Sequence, residues 1–114
     1  MKSHLIFLEH ILESIADLEE FTRDVDKQAL LNNKEKQSAV VRQIEIIGEA
    51  AKNLPSGFRK KYPSVPWKEI IGTRDKLIHH YFGVDFGILW KIIENEIPKL
   101  KQEIEEIINR ERHT

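Results

Sequence analysis

The sequence predicts an all-α fold: an antiparallel four-helix bundle with short extra helical turns between the second and third helices. Two observations support this prediction. Apolar residues recur at steps of three and four along each long segment, and no segment shows the alternating pattern of a strand. In the first segment, which predicts a helix from about His4 to Arg23, the recurring residues are Leu5, Leu8, Leu12, Ile15 and Leu18.

The same spacing from about Lys34 to Leu54 predicts the second helix, which Pro55 ends. The stretch between these helices, from Val25 to Lys34, lacks the pattern and is interpreted as a connection with one short turn. The second helix contains a patch of small residues, Gly48, Ala50 and Ala51. Because small side chains let another helix approach closely, we expect this patch to lie at a helix–helix contact.

Prolines shape the second half of the chain. Those between Pro55 and Pro66 exclude a long helix there, so one or two short helical turns are expected. A third helix follows from Trp67 to about Phe82, with Gly83 as its C-terminal cap, and its tryptophan is expected to anchor one end of the bundle. Asp85 is the predicted N-cap of a fourth helix, which Pro98 is expected to kink or divide.

The composition fits one soluble domain over residues 1–114. Hydrophobic residues make up 40% of the chain and charged residues 32%. There is no cysteine, which excludes disulfide bonds and a cysteine nucleophile. The N-terminal segment lacks the apolar run of a signal peptide, and no stretch approaches the roughly 20 apolar residues of a membrane span. We therefore expect a cytoplasmic protein that does not associate with a membrane.

Charge is unevenly distributed, although the net charge is only −1. Residues 1–34 contain four Lys/Arg and seven Asp/Glu, whereas residues 52–76 contain seven Lys/Arg and two Asp/Glu. A local basic surplus of this kind can bind phosphates, although a solvated helix face is the commoner explanation.

The densest group of polar residues is the segment from Arg74 to Tyr81 on the third helix. Asp75 and His79 are four residues apart and therefore neighbours on a helix. Arg74 and His79 are five apart, which places them about 140° apart around the axis. A straight helix therefore does not direct them at one point. The long arginine side chain, a distorted helix or a second copy of the chain would solve this. We favour the first and the third together, and therefore expect a homodimer.

This group suits metal-free RNA cleavage, in which a base takes the 2′-hydroxyl proton and an acid protonates the leaving oxygen. His79 has the pKa range for acid–base work, and Arg74 can hold the phosphate in its planar fork. Asp75 could orient His79 and favour its charged form. Lys76 and His80 are further candidates for RNA binding. The structural alternatives are a surface salt bridge between Arg74 and Asp75 and a histidine without a catalytic role.

No metal site is expected in this segment. His79 and His80 are adjacent and so diverge on a helix, and the other histidines lie far away in sequence. No cofactor is expected either.

The pattern of Arg74, four residues, His79, one residue and Tyr81 resembles the R-x-x-x-x-H-x-Y signature of HEPN-superfamily toxins of the HepT type. The resemblance extends over nearly the whole chain in the same order. It includes the segments Arg42–Lys52, Tyr62-Pro63, Pro66-Trp67 and Tyr81–Asp85. The chain is therefore similar to this family in its motif and in the context of that motif.

The resemblance implies a HEPN-like helical bundle that dimerises and a metal-independent endoribonuclease centred on Arg74 and His79. It further implies the toxin of a type VII-like toxin–antitoxin system. The implied partner is a minimal nucleotidyltransferase antitoxin, which would transfer adenylyl groups from ATP to Tyr81. The added bulk and phosphate charge would occupy the place of the substrate phosphates and so neutralise the toxin.

One residue departs from the family pattern: Asp75 follows the arginine where the family often has asparagine. The extra carboxylate could lower RNA affinity or make His79 more basic. Two other functions remain open. The chain could be a non-catalytic helical module that binds a nucleotidyltransferase or a nucleotide, or a purely structural helical dimer.

Overall fold

The computed structural model describes residues 2–79 and 83–113. Within these ranges the chain is helical and contains no strand, which confirms the predicted all-α, HEPN-like bundle. Short helices separate the long ones, as expected. The elements are α1 (Lys2–Thr22), α2 (Lys27–Leu31), α3 (Lys34–Asn53), α4 (Ser56–Lys61), α5 (Trp67–His79), α6 (Phe86–Lys91), a π-helical turn (Ile92–Glu96) and α7 (Ile97–Arg112).

The core of the bundle is built around α1 and α3. These two helices pack on each other, α3 also packs on α5, and α1 on α7. On α1, Leu5 and Leu12 of the predicted stripe are only half-buried. The buried stripe is turned slightly from the predicted one and consists of Leu8, Ile11, Ile15 and Leu18.

Side-chain caps fix where three helices begin. Asp26 and Asn33 accept backbone N–H hydrogen bonds at the starts of α2 and α3. The predicted cap of the fourth helical segment is confirmed, because Oδ1 of Asp85 accepts from the N–H groups of Gly87 at 2.9 Å and Ile88 at 3.3 Å. The N–H of Ile88 also donates to the backbone carbonyl of Asp85 at 3.1 Å, and together these bonds stabilise the first turn of α6.

The fourth helix is divided, as Pro98 led us to expect, and the division takes the form of the π turn. Pro98 has no N–H to donate to the carbonyl of Glu94, so the α-helical ladder cannot run unbroken through this position. The backbone instead widens over Ile92–Glu96, and the N–H of Ile97 donates to the carbonyl of Ile92, five residues earlier.

Trp67 anchors one end of the bundle, as predicted. It is buried, and its indole Nε1–H donates to the backbone carbonyl of Tyr62 at 3.0 Å. Beside it, the buried carboxylate of Glu111 on α7 accepts hydrogen bonds from the Tyr62 hydroxyl and, at 2.9 Å, from Nζ of Lys61. These bonds lower the pKa of Glu111 and tie the end of α7 to the last residue of α4 and to the residue that follows it.

The predicted glycine cap of α5 is wrong in its conformation. No glycine in residues 2–79 and 83–113 has a positive φ, so Gly83 does not adopt the left-handed conformation of a glycine C-cap. The predicted helix end at Phe82 lies outside the described residues.

None of the helices in the described ranges is long and apolar enough to cross a membrane.

Candidate functional site

The candidate site begins at the crossing of α3 and α5, where a glycine lets the two helices approach closely. A Cβ atom placed on Gly48 would lie 2.2 Å from Cβ of Arg74 and 3.2 Å from the backbone oxygen of Ile70. Any larger residue at 48 would therefore push α5 away from α3. This confirms that part of the small-residue patch lies at a helix–helix contact, and the contact is made with Arg74 itself.

Two carboxylates hold the Arg74 guanidinium at this crossing. Its Nη2 lies 2.5 Å from a carboxylate oxygen of Glu49 on α3, and its Nη1 donates to Oδ1 of Asp75 at 2.8 Å. The side chain is only 20% exposed. The hydrogen bond to Asp75, and then the negative charge of Glu49, raise the pKa of Arg74, so the guanidinium stays charged. The geometry therefore gives Arg74 a fixed orientation.

Asp75 is bound to Arg74, whereas the helical spacing had suggested His79 as its partner. The hydrogen bond from Arg74 is the main cause that lowers the pKa of Asp75, and the positive charges of Lys52 and His79 add to it. The carboxylate is about half exposed. Asp75 and His79 thus interact electrostatically, while the hydrogen bond of the carboxylate goes to the adjacent arginine.

His79 is the last described residue of α5 and is exposed, as is Lys76 one turn before it. Over Trp67–His79 the helix is regular, so no distortion within that range turns Arg74 and His79 toward one point. Arg74 faces a groove that it shares with Glu49 and Ile78, and His79 does not line this groove. His80 and Tyr81 lie outside the described residues.

Glu49 is the residue of this site that sequence reasoning missed. It lies within the Arg42–Lys52 segment that carries part of the family resemblance, directly after Gly48. Its position next to Gly48 could have identified it, because a glycine that lets a neighbouring helix approach places the next side chain at the edge of the helix–helix contact.

Residues 2–79 and 83–113 contain no group of three or more His, Asp or Glu side chains placed to hold a metal ion.

Comparison with known proteins identifies the family. The sequence profile described as "Ribonuclease HepT-like" matches residues 11–107. The chain belongs to this HepT-like family. "Putative RNase MJ1380" of Methanocaldococcus jannaschii is 52% identical over 99 residues, which cover 87% of this chain and 91% of the relative. "Probable ribonuclease HepT" of Thermococcus cleftensis is 48% identical over 106 residues, which cover 93% of this chain and 96% of the relative.

No solved structure matches the chain significantly. In this HepT-like protein the part of the R-x-x-x-x-H-x-Y motif that the structure describes thus consists of a clamped arginine and an exposed histidine. The clamp is supplied by Glu49 from α3 and by Asp75 from α5.

Proposed function

We propose that this HepT-like protein is a metal-independent endoribonuclease and the toxin of a type VII-like toxin–antitoxin system. The observation that supports it most directly is the clamp on Arg74, in which two half-exposed carboxylates hold a mostly buried guanidinium at the crossing of α3 and α5, five residues before the exposed His79. Rigid placement of a guanidinium is what stabilisation of a phosphorane requires. The ribonuclease names of the relatives agree with this chemistry.

In the proposed reaction the 2′-oxygen of a ribose attacks the adjacent phosphorus, and the bond to the 5′-oxygen breaks. His79 acts either as the general base that takes the proton of the 2′-hydroxyl or as the general acid that gives a proton to the leaving 5′-oxygen. Arg74 stabilises the negative charge that develops on the phosphate oxygens. Since Glu49 and Asp75 also attract the guanidinium, the RNA phosphate must compete with them for its N–H groups.

The first test is cleavage of RNA by the purified, unmodified protein in the presence of EDTA. We expect cleavage to persist with EDTA and to fall by about 10²–10⁴-fold in His79→Ala, the range for loss of a general acid or base. Arg74→Ala should be similarly inactive. His113→Ala, which changes an exposed histidine near the opposite end of the chain, is the matched control and should cleave normally. Cleavage that survives in both motif variants would contradict the proposed site.

We also propose that two copies of the chain complete the site, since Arg74 and His79 diverge on α5. A mixture of inactive Arg74→Ala and inactive His79→Ala proteins tests this. Random pairing makes half of the dimers mixed, with one variant chain of each kind. If each site takes its arginine from one chain and its histidine from the other, a mixed dimer has one intact site and one that lacks both residues. Activity should then recover to about a quarter of the wild type. No recovery would mean that each chain contains a complete site.

Regulation through Tyr81 is the third part of the proposal. A minimal nucleotidyltransferase antitoxin would adenylylate Tyr81 and so place phosphate charge beside His79, which lies two residues earlier in the sequence. Incubation with such an enzyme and ATP should raise the intact mass by adenylyl units and abolish cleavage. Tyr81→Phe should escape both effects, and modification at another residue would contradict this assignment.

We further propose that the protein acts in the cytoplasm and that residues 1–114 form a single toxin domain.

One observation favours the alternative of a non-catalytic module. Both Nη atoms of Arg74 are already engaged by carboxylates, as they would be in a purely structural ion-pair network. In that case the protein would bind a nucleotidyltransferase or a nucleotide and leave RNA intact. Binding of ATP or of the transferase by protein that cleaves none of a panel of structured and unstructured RNAs would establish this alternative.

A further inference from the structure

A second polar surface lies beside the candidate site, in a groove between α4 and the first half of α5. We call it the basic groove and define it by its three cations, Arg59, Lys60 and Lys68, together with Glu69, Gly72 and Asp75, so that its cations exceed its carboxylates by three to two. Its volume is about 880 Å³. Asp75 is shared with the Arg74 clamp, so the groove ends at the candidate site.

The cations of the basic groove are available to a ligand. Among the described residues, Arg59, Lys60 and Lys68 take part in no ion pair, in contrast to the neighbouring Lys61, which is bound to Glu111. Nε of Arg59 donates to the backbone oxygen of Leu54 at 3.1 Å. That bond fixes the direction of the side chain and leaves both Nη groups to donate elsewhere.

The position of Lys68 is not explained by helix electrostatics. Arg59 and Lys60 lie in the last turn of α4, where the partial negative charge of a helix end favours cations. Lys68 instead lies in the first turn of α5, where the helix end is partially positive and a cation is disfavoured. Glu69 in the same turn offsets part of this repulsion, and a ligand with negative charge in the groove would offset more of it.

Gly72 lies in the wall of the basic groove. It lies in the interior of α5, where glycine weakens a helix relative to alanine. Gly48 is required by the contact with Arg74, but a Cβ atom on Gly72 would meet nothing within 4 Å. The fold itself therefore does not need a glycine at 72. Without a side chain at this position, the wall of the basic groove stays open and the backbone of α5 is accessible from it.

We propose that the basic groove binds the backbone phosphates of single-stranded RNA and leads the strand to Arg74 and His79. This inference rests on the proposed ribonuclease function. Lys68 and Asp75 are seven residues apart on α5, so the groove follows that helix for about 10 Å. A positive groove of this kind can track a single strand, whereas double-stranded RNA is recognised over about 16 base pairs.

The salt dependence of RNA binding tests the role of the lysines. Each phosphate neutralised on a single strand contributes about 0.7 to the slope of log affinity against log salt. The variant Lys60→Gln/Lys68→Gln should therefore lower that slope by about 1.4 and reduce the affinity lost between 50 and 200 mM salt by about sevenfold. The matched control is Lys34→Gln/Lys91→Gln, which removes two exposed lysines outside the groove and should keep the slope. An equal slope in both variants would overturn the proposal.

A steric variant tests the same groove without a change of charge. Gly72→Leu should strengthen the helix and block the groove, and we expect affinity for an unstructured oligonucleotide to fall at least tenfold. Gly57→Leu is the control, because Gly57 also has open space around its Cβ position but does not line the groove. Unchanged affinity in Gly72→Leu would overturn the proposal, as would a preference for duplex over single-stranded RNA.

Binding and cleavage are measured separately so that the two proposals can fail independently. Cleavage by the wild type with normal binding by the groove variants would refute the groove and leave the ribonuclease function intact. Groove-dependent binding without any cleavage would support the groove and refute the catalytic role of Arg74 and His79. A wild type that binds no RNA would overturn both.

Discussion

The substitution Gly48→Ala tests the helix crossing on which the candidate site depends. The new methyl carbon would lie 2.2 Å from Cβ of Arg74 and 2.8 Å from its Cγ, whereas ordinary contacts begin at 3.4 Å. Rotation of the arginine side chain cannot relieve the first contact, because Cβ is fixed to the backbone of α5. The distance between α3 and α5 must therefore increase by about an ångström at this point.

The expected loss of stability follows from two opposing effects. A contact this short places the substitution in the upper part of the range for overpacking, about 2–3 kcal/mol. Replacing glycine by alanine in a helix returns about 1 kcal/mol. The net loss is about 1–2 kcal/mol, and each 1 kcal/mol lowers the melting temperature by about 3–6 °C for a chain of this length.

Urea unfolding followed by far-ultraviolet circular dichroism measures this loss. Gly72→Ala is the matched control: it is the same substitution at a helical glycine with open space, and it should gain about 1 kcal/mol. RNA cleavage by folded Gly48→Ala should also fall, because the clamp between Glu49 and Arg74 spans the widened crossing. A Gly48→Ala protein as stable as the wild type would refute the reasoning.

Three further predictions concern carboxylates. Hydrogen bonds lower the pKa of buried Glu111, so its contribution to stability is present above the unfolded pKa of about 4.3 and is lost as pH falls through the lower folded value. Glu111→Gln should therefore cost about 2 kcal/mol at pH 7 and less at pH 3 in urea unfolding, and an equal loss at both pH values would contradict this. Asp75→Asn removes a competing charge from Arg74 and should raise RNA affinity about two- to fivefold at low salt in fluorescence anisotropy, whereas weaker binding would show that Asp75 assists the substrate. Asp85→Ala removes the cap of α6 and should cost about 1 kcal/mol in the same unfolding assay, and an unchanged free energy of unfolding would show that the cap does not stabilise the helix.

The parts of the fold that were predictable are those with local causes. The helical spacing of apolar residues placed α1, α3 and the start of α5 within two residues of their observed bounds. The cap at Asp85 and the anchoring of Trp67 followed from side-chain chemistry next to a break in that spacing. Each of these features is determined by a few neighbouring residues, so a single sequence is enough to predict it.

The parts that were not predictable depend on contacts between distant segments. The pairing of Glu49 with Arg74 requires the register of α3 against α5, and that of Glu111 with Tyr62 joins residues 49 positions apart. Within α5 the spacing correctly made Asp75 and His79 neighbours. It could not show that the adjacent Arg74 would take the hydrogen bond of Asp75, because that depends on where Glu49 holds the guanidinium.

The π turn at Ile92–Glu96 makes the length of its segment as important as its composition. Leu89 before the turn and Ile97 after it are both buried. At about 100° per residue the eight steps between them would leave the two side chains about 80° apart, and the wider turn takes up this rotation. A relative that lost one residue here would have seven steps, about 700°, between the two positions, so a uniform α-helix would keep both side chains within about 20° of one face. Loss of one residue should therefore be tolerated here during evolution more readily than loss of two, which would rotate one of the buried side chains by about 120°.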